Sequence, residues 1–318
     1  MAQKRPIVIN GRRVGRFRAS WLLFKETWRF LRLDPEILAI PLVAGLLNIF
    51  LFLVLIGVAV FIHFMVFPLG TFTEVSGELD FTADHPLTYV FLFAAYVIAA
   101  FSLAFSQGAV ANTVITRLRG GNATLGQSLS IALRQWRPLL AWSMITATVG
   151  LLLVLLSKLF NFLSRWIVVI IGVTWEVLTY FVAPAIIIEN KGSIAAIKQS
   201  GRTLKQTFGE TVMTNIGLGL VMSALHLVAL VLSVLVIILG FTYGTMVSIS
   251  ISVITIFIML ISLALLNAAL QGILKTLLYA YVMEHTTSPD FNSELLENVL
   301  ISDSKPNTSH VSEVRSQL

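Results

Sequence analysis

The chain has 318 residues, of which 57% are hydrophobic and only 12% charged, with a net charge of +6 and a mean hydropathy of +0.87. That is more apolar surface than a soluble domain of this length can bury, so the composition excludes a soluble globular protein and indicates an integral membrane protein. Cysteine is absent, which removes disulfides, thiolate nucleophiles and cysteine metal sites, and several enzyme classes with them.

Residues 1–16 form a basic segment, and about 36 polar and basic residues precede the first apolar run, which is itself far longer than a signal-peptide core. No cleaved signal is expected. Six stretches then meet the roughly 20 apolar residues that about 30 Å of hydrocarbon demands of a helix. They fall near residues 38–67, 87–115, 139–156, 166–188, 216–239 and 247–282. The fold class expected is all-α: a polytopic membrane protein of six transmembrane helices arranged as three hairpins, with interfacial amphipathic helices on the cytoplasmic side. The membrane domain is assigned to residues 17–285, and the polar tail 286–318 is expected to be disordered.

Lys and Arg set the orientation. Nine precede the first span, four lie in each of the links 117–137 and 191–205, and Lys275, Lys305 and Arg315 add three, whereas only Lys158 and Arg165 fall on the other side. The positive-inside rule therefore places both termini in the cytoplasm of a cell inner membrane, with the basic surface facing anionic lipids rather than nucleic acid. The loop "TFTEVSGELDFTADHPLT" has four acidic residues and no basic one, as an outer loop should. His63 and His85, near Asp80 and Asp84, have no metal-ligand spacing, so neither a metal nor a cofactor is expected.

A unit recurs along the chain. "SWLLFKETW" (20–28), "SLSIALRQW" (128–136) and "SGRTLKQTF" (200–208) each begin with serine, end with an aromatic and precede two spans. Each has an apolar stripe at helical spacing opposite Arg and Lys, the pattern of a helix lying in the membrane interface with its aromatics Trp21, Trp28, Trp136 and Phe208 among the headgroups. Thr124 with Gln127 forms a capping-box signature, and Ser193 is a candidate N-cap. The repeats expected are 17–115, 124–190 and 193–285. Gln107–Gly108 in span two and Gln271–Gly272 in span six echo one another.

The run Trp175, Thr179, Tyr180, Phe181, Val182, Pro184, Glu189, Gly192, Ala196, Ser200, Lys205, Thr207, Gly209, Glu210, Asn215, Gly217 and Gly219 resembles the signature of a prokaryotic family of six-span membrane proteins of unknown function. The stretch around Asp34, Pro35, Glu36 and Pro41 is similar to that family's opening. The chain is also distantly similar to the membrane domain of glycerophosphodiester phosphodiesterases, but it lacks their catalytic domain, so no reaction carries over. The resemblance implies a fold and no activity.

Pro184 removes a helical donor and crowds the carbonyl of residue 180, so a bend is expected near the cytoplasmic end of span four. Glu189, just beyond, is expected near the start of the third surface helix, where its charge would complement exposed amides. Glu176 lies about 12 residues from that end, roughly 18 Å deep, where an ionised carboxylate needs a partner or water. Span six offers Asn267, Gln271 and Lys275 on one helical face, and Gln107, Asn112, Asn215 and His226 add polar groups from spans two and five. Three readings stand side by side: a static polar network around a Glu176–Lys275 contact, a substrate or proton path, and a Glu176 near the outer end of its span. No phosphate loop, nucleophile elbow or zinc histidine pair occurs, so enzyme activity is not expected. Two function classes follow. One is a membrane-organising component that binds lipid, a protein partner or a second copy through its basic helices; the other is a permease-like transporter with a polar path around Glu176.

Overall fold

The computed structural model describes residues 7–9, 12–14, 16–66, 86–159 and 162–284. The outer loop with Asp80, Asp84 and His85, the tail 286–318, and the side chains of Trp21, His63, Phe208 and Asn215 lie outside the described residues. A short antiparallel ribbon, β1 (Ile7–Ile9) and β2 (Arg12–Val14), pairs Ile7 with Val14 and Ile9 with Arg12. Hydropathy gives no hint of it, but the sequence between the strands is Asn10–Gly11, the dipeptide best suited to a two-residue hairpin loop.

Every other described element is helical. They are α1 (Arg16–Leu33), a 3-10 turn (Pro35–Leu38), α2 (Ala39–Val66), α3 (Pro86–Leu118), α4 (Leu125–Arg134), α5 (Trp136–Leu159), α6 (Phe162–Leu178), α7 (Val182–Ile188), α8 (Ser193–Tyr243) and α9 (Met246–Glu284). Six stretches are long and apolar enough to cross a membrane: Pro35–Ile62, Tyr89–Leu118, Trp136–Ser157, Trp166–Ile188, Val221–Thr242 and Met246–Met283. By length and composition this is a multi-pass membrane protein.

The third amphipathic stretch is not a separate surface helix. It forms the first turns of α8, which runs unbroken for 51 residues, because no proline or turn dipeptide separates residues 193–208 from the apolar run that follows. Nor is Ser193 its N-cap: Gly192 holds that position, and the Ser193 hydroxyl donates to the Pro138 carbonyl at 2.7 Å. The capping box of Thr124 and Gln127 at the start of α4 is present in full.

α3 is the hub. It touches α2, α4, α5, α7 and α9, and close approach is possible because Ser102, Ala104, Ser106, Gly108, Ala109 and Ala111 keep its faces narrow. A Cβ added to Gly108 would lie 3.1 Å from Ile187 Cγ1, and one added to Gly272 of α9 would lie 2.9 Å from Val110 Cγ1. Those two glycines therefore mark the tight crossings of α3 with α7 and α9.

Burial is lopsided along these helices. The end that carries α1, α4, α7 and the links with Arg117, Arg134, Lys191 and Arg202 (the basic end) holds the core: Phe30, Ile37, Val110, Val114, Phe181, Ile186, Leu274 and Leu278 are all nearly inaccessible. At the opposite end the large side chains of α2, α6, α8 and α9 are exposed, Leu227 and Phe257 at 64% and 63% among them. Contacts join α2 with α3, α5 with α6 and α8 with α9, and also α3 with α5, α6 with α8 and α2 with α9. The α8–α9 turn illustrates the pairing: Gly244 adopts the left-handed φ of 63° that ends α8, Thr245 caps α9 through Ser248, and Ser252 donates across to the Val236 carbonyl at 3.1 Å.

Candidate functional site

The site begins with an interruption. Pro184 is the third residue of α7 and has no N–H to offer the Tyr180 carbonyl. The effect is larger than a bend: α6 stops at Leu178, residues 179–181 form a turn, and α7 starts afresh at Val182. Tyr180 N–H and Val182 N–H bond three residues back, to Val177 and Thr179. Across the gap reaches Ser200 of α8, fully buried: Phe181 N–H donates to its Oγ at 3.0 Å, and its hydroxyl donates to the Leu178 carbonyl at 2.7 Å. Irregular backbone at membrane depth is tolerated only where protein satisfies it in this way.

Beside the break sits Lys275. Its Nζ lies 3.5 Å from Gln107 Oε1 on α3 and 4.7 Å from the centroid of the Tyr180 ring, a cation over an aromatic face. Tyr180 is buried, and among the described residues its hydroxyl has no hydrogen-bond partner; Trp175 Nε1 and Thr146 Oγ1 are likewise buried without one there. The Trp175 ring stacks on Trp142 of α5 at 6.0 Å, which fixes its orientation. One and two turns beyond Lys275 on the same face of α9 come Gln271 and Asn267, joined by a 3.2 Å bond from the Gln271 amide to Asn267 Oδ1.

The other expected members are placed differently. Glu176 is one turn before Tyr180 and exposed; its charge acts on both Lys275 and Tyr180, yet among the described residues its carboxylate closes no ion pair with Lys275. Asn112 belongs to a separate cluster, donating to Ser128 Oγ of α4 at 3.3 Å, because it lies more than a turn nearer the basic end of α3 than Gln107. His226 is exposed and turned back on its own helix, Nδ1 2.7 Å from the Met222 carbonyl. The sequence therefore brings together Gln107, Asn267, Gln271 and Lys275 with Glu176 in electrostatic reach, and leaves Asn112 and His226 out.

The basic end is closed beneath this site by polar clasps. Asp34, buried between α1 and the 3-10 turn, pairs with Arg117 of α3 at 3.1 Å, and Glu36 accepts from Leu125 N–H at the start of α4 at 3.2 Å. Glu189 is the C-cap residue of α7 rather than a cap on α8; Tyr279 donates to its carboxylate and Lys191 pairs with it, while Lys191 also donates to Gln199 at 3.0 Å. Gln135 donates to Asn190, whose φ of 53° turns the chain between α7 and α8. Trp136 and Trp28, exposed and half-buried, each lie under an arginine, Arg137 at 5.5 Å and Arg32 at 5.7 Å.

Among the described residues no three His, Asp or Glu side chains group closely enough to hold a metal ion. What the site offers is a cation, a buried tyrosine hydroxyl and the half-buried amides of Gln107, Gln271 and Asn267. Tyr180, Trp175 and Ser200 were not singled out as site residues. The aromatics sit in the segment whose proline and glutamate drew notice, and Ser200 is the serine that opens the third repeated motif, so a signal for each was present in the sequence.

The chain belongs to a family of unknown function, DUF6159, which it matches over residues 86–289. The match runs from α3 to just past α9 and leaves out α1 and α2, so the similarity read around Asp34, Pro35, Glu36 and Pro41 lies outside it. No curated protein matches the chain.

Proposed function

We propose that this family member is a non-enzymatic, permease-like protein of the cell inner membrane, with both termini cytoplasmic, that admits a small solute or lipid to a polar floor at the α6–α7 break. One observation carries the reading: a lysine deep in a spanning segment, beside a discontinuous helix, rests on an aromatic ring and an amide instead of closing on the carboxylate near it. A cation in hydrocarbon is expensive, and where it is not neutralised by a fixed partner it marks a path or a binding place. Discontinuous helices are where transporters put their substrate sites. Packing is consistent with access from the far side, since α7 and its clasps cover the basic end while the large side chains of the far half are exposed.

A second reading has its own support. The pairs Trp28–Arg32 and Trp136–Arg137 suit an interface rich in anionic lipid, as expected of a membrane-organising component that binds lipid or a partner protein. The two separate on one experiment: purified protein in liposomes is loaded with labelled small anions, zwitterions or headgroup-labelled lipid, and flux is followed with Lys275→Met alongside. Lysine-dependent flux supports the permease-like reading. Binding to anionic vesicles with no flux of any class leaves the organising role.

A further inference from the structure

We infer that the floor receives a zwitterionic group, with its anionic moiety held by the donors around Lys275 and its ammonium by Glu176. The inference deepens the permease-like reading and rests on it for access.

On one side of the floor, a buried donor is left over beside the single acceptor that Lys275 uses, Gln107 Oε1. Tyr180 is 6% exposed, and among the described residues its hydroxyl and the buried Trp175 Nε1 have no hydrogen-bond partner. Leaving a buried donor unpaired costs about 1–3 kcal/mol, so the Tyr180 hydroxyl, on the ring that Lys275 rests against, favours an incoming acceptor. Among the described residues Lys275 is held by one long amide contact and a ring face, both of which an anion can displace.

Toward the opening the sign reverses. Glu176 is exposed, one helical turn from Tyr180, or roughly 6 Å along the axis, and among the described residues it makes no ion pair with Lys275. A simple anion would be attracted by Lys275 and repelled by Glu176. A simple cation would meet the reverse. A group with an anion at its leading end and an ammonium a short linker behind satisfies both, and Asn267 and Gln271 continue the polar strip toward the opening for whatever trails it. That chemistry is shared by free amino-alkyl phosphates or amino acids and by an ethanolamine lipid headgroup entering sideways between helix pairs.

The test uses the full-length protein in nanodiscs of neutral choline lipid, with 2-aminoethyl phosphate as probe and inorganic phosphate and ethylamine as controls, read by calorimetry. The expected result is binding of 2-aminoethyl phosphate about tenfold tighter than either control, a gap of about 1.4 kcal/mol. Glu176→Gln should erase the preference over phosphate, and Tyr180→Phe should weaken both phosphate ligands; an unchanged melting temperature shows that these variants fold. Loss of probe binding in ethanolamine-lipid nanodiscs but not in glycerol-lipid ones identifies the headgroup as the natural source, and unchanged binding in both identifies a free solute. Equal affinity for the probe and phosphate in the wild-type protein, or no binding of any of the three, overturns the inference without need of a variant. Tight, Glu176-dependent binding without flux would instead refute the permease-like reading alone.

Discussion

From Ala104 to Leu118, α3 is mostly buried, packed among α4, α5, α7 and α9, whereas α8 from Leu225 to Leu239 stays exposed on most of its surface. Both belong to helices apolar enough to span a membrane, but the first stretch is rich in small and polar residues and the second is almost entirely Leu, Val and Ile. The basic end has small residues at the crossings, a short buried helix in α7 and polar side chains that bridge elements distant in sequence. The far end has bulky side chains, Leu, Ile, Val and Phe, with few glycines at contacts and few polar bridges beyond the α8–α9 turn. Lipid-facing packing gives no hydrophobic reward for association, so helices close up where shape and hydrogen bonds hold them and separate where neither does. On the permease-like proposal, the tight half is the fixed base and the loose half the entrance, with Lys275 at the border.

Substitutions can break this contrast from either side. The largest loss is expected from Asp34→Ala, which strands Arg117 in a mostly buried setting and should lower unfolding stability by about 3–5 kcal/mol; steric trapping in bicelles would measure it. Gly272→Val forces a branched side chain against Val110 and should cost about 1–3 kcal/mol, with Val110→Ala restoring part of it in the double variant. Ser200→Ala removes the bridge across the helix break and should cost about 1–3 kcal/mol, with faster amide hydrogen exchange confined to residues near Phe181. The smallest effect belongs to the far half: Leu227→Ala, at a 64% exposed position, should stay within about 0.5 kcal/mol of wild type. A far-half substitution that costs as much as Gly272→Val would mean that the open region is packed against something and is no entrance.

Much of this was legible in the sequence because single-residue physics decides it. Hydropathy alone locates the six apolar stretches, Thr124 with Gln127 announces the α4 cap, Pro184 marks the disturbed end of span four, and the spacing of Asn267, Gln271 and Lys275 puts them on one face. Pairings across long separations were not legible. Nothing local says that Asp34 meets Arg117 or that Ser200 will bridge Leu178 and Phe181, since those contacts depend on how helices cross. The same cause misplaced Asn112 and His226: depth in the bilayer can be counted along a chain, but the azimuth at which a side chain leaves its helix, relative to a neighbour, cannot. The merging of the third amphipathic stretch into α8 was hidden because an interfacial helix and the first turns of a long helix share one periodicity.

Because the chain has no cysteine, a single introduced thiol reports its own surroundings, and Thr179→Cys at the α6–α7 break tests the border between the halves most directly. The thiol is exposed to a membrane-impermeant maleimide in right-side-out and inverted vesicles, with Leu277→Cys in the tight half as the buried control. Labelling of Thr179→Cys from the outside only, slowed by 2-aminoethyl phosphate, with Leu277→Cys protected from both sides, is the expected result. Protection of Thr179→Cys from the outside in a folded protein, or labelling from the cytoplasmic side through the α7 seal, would contradict an entrance that ends at Lys275.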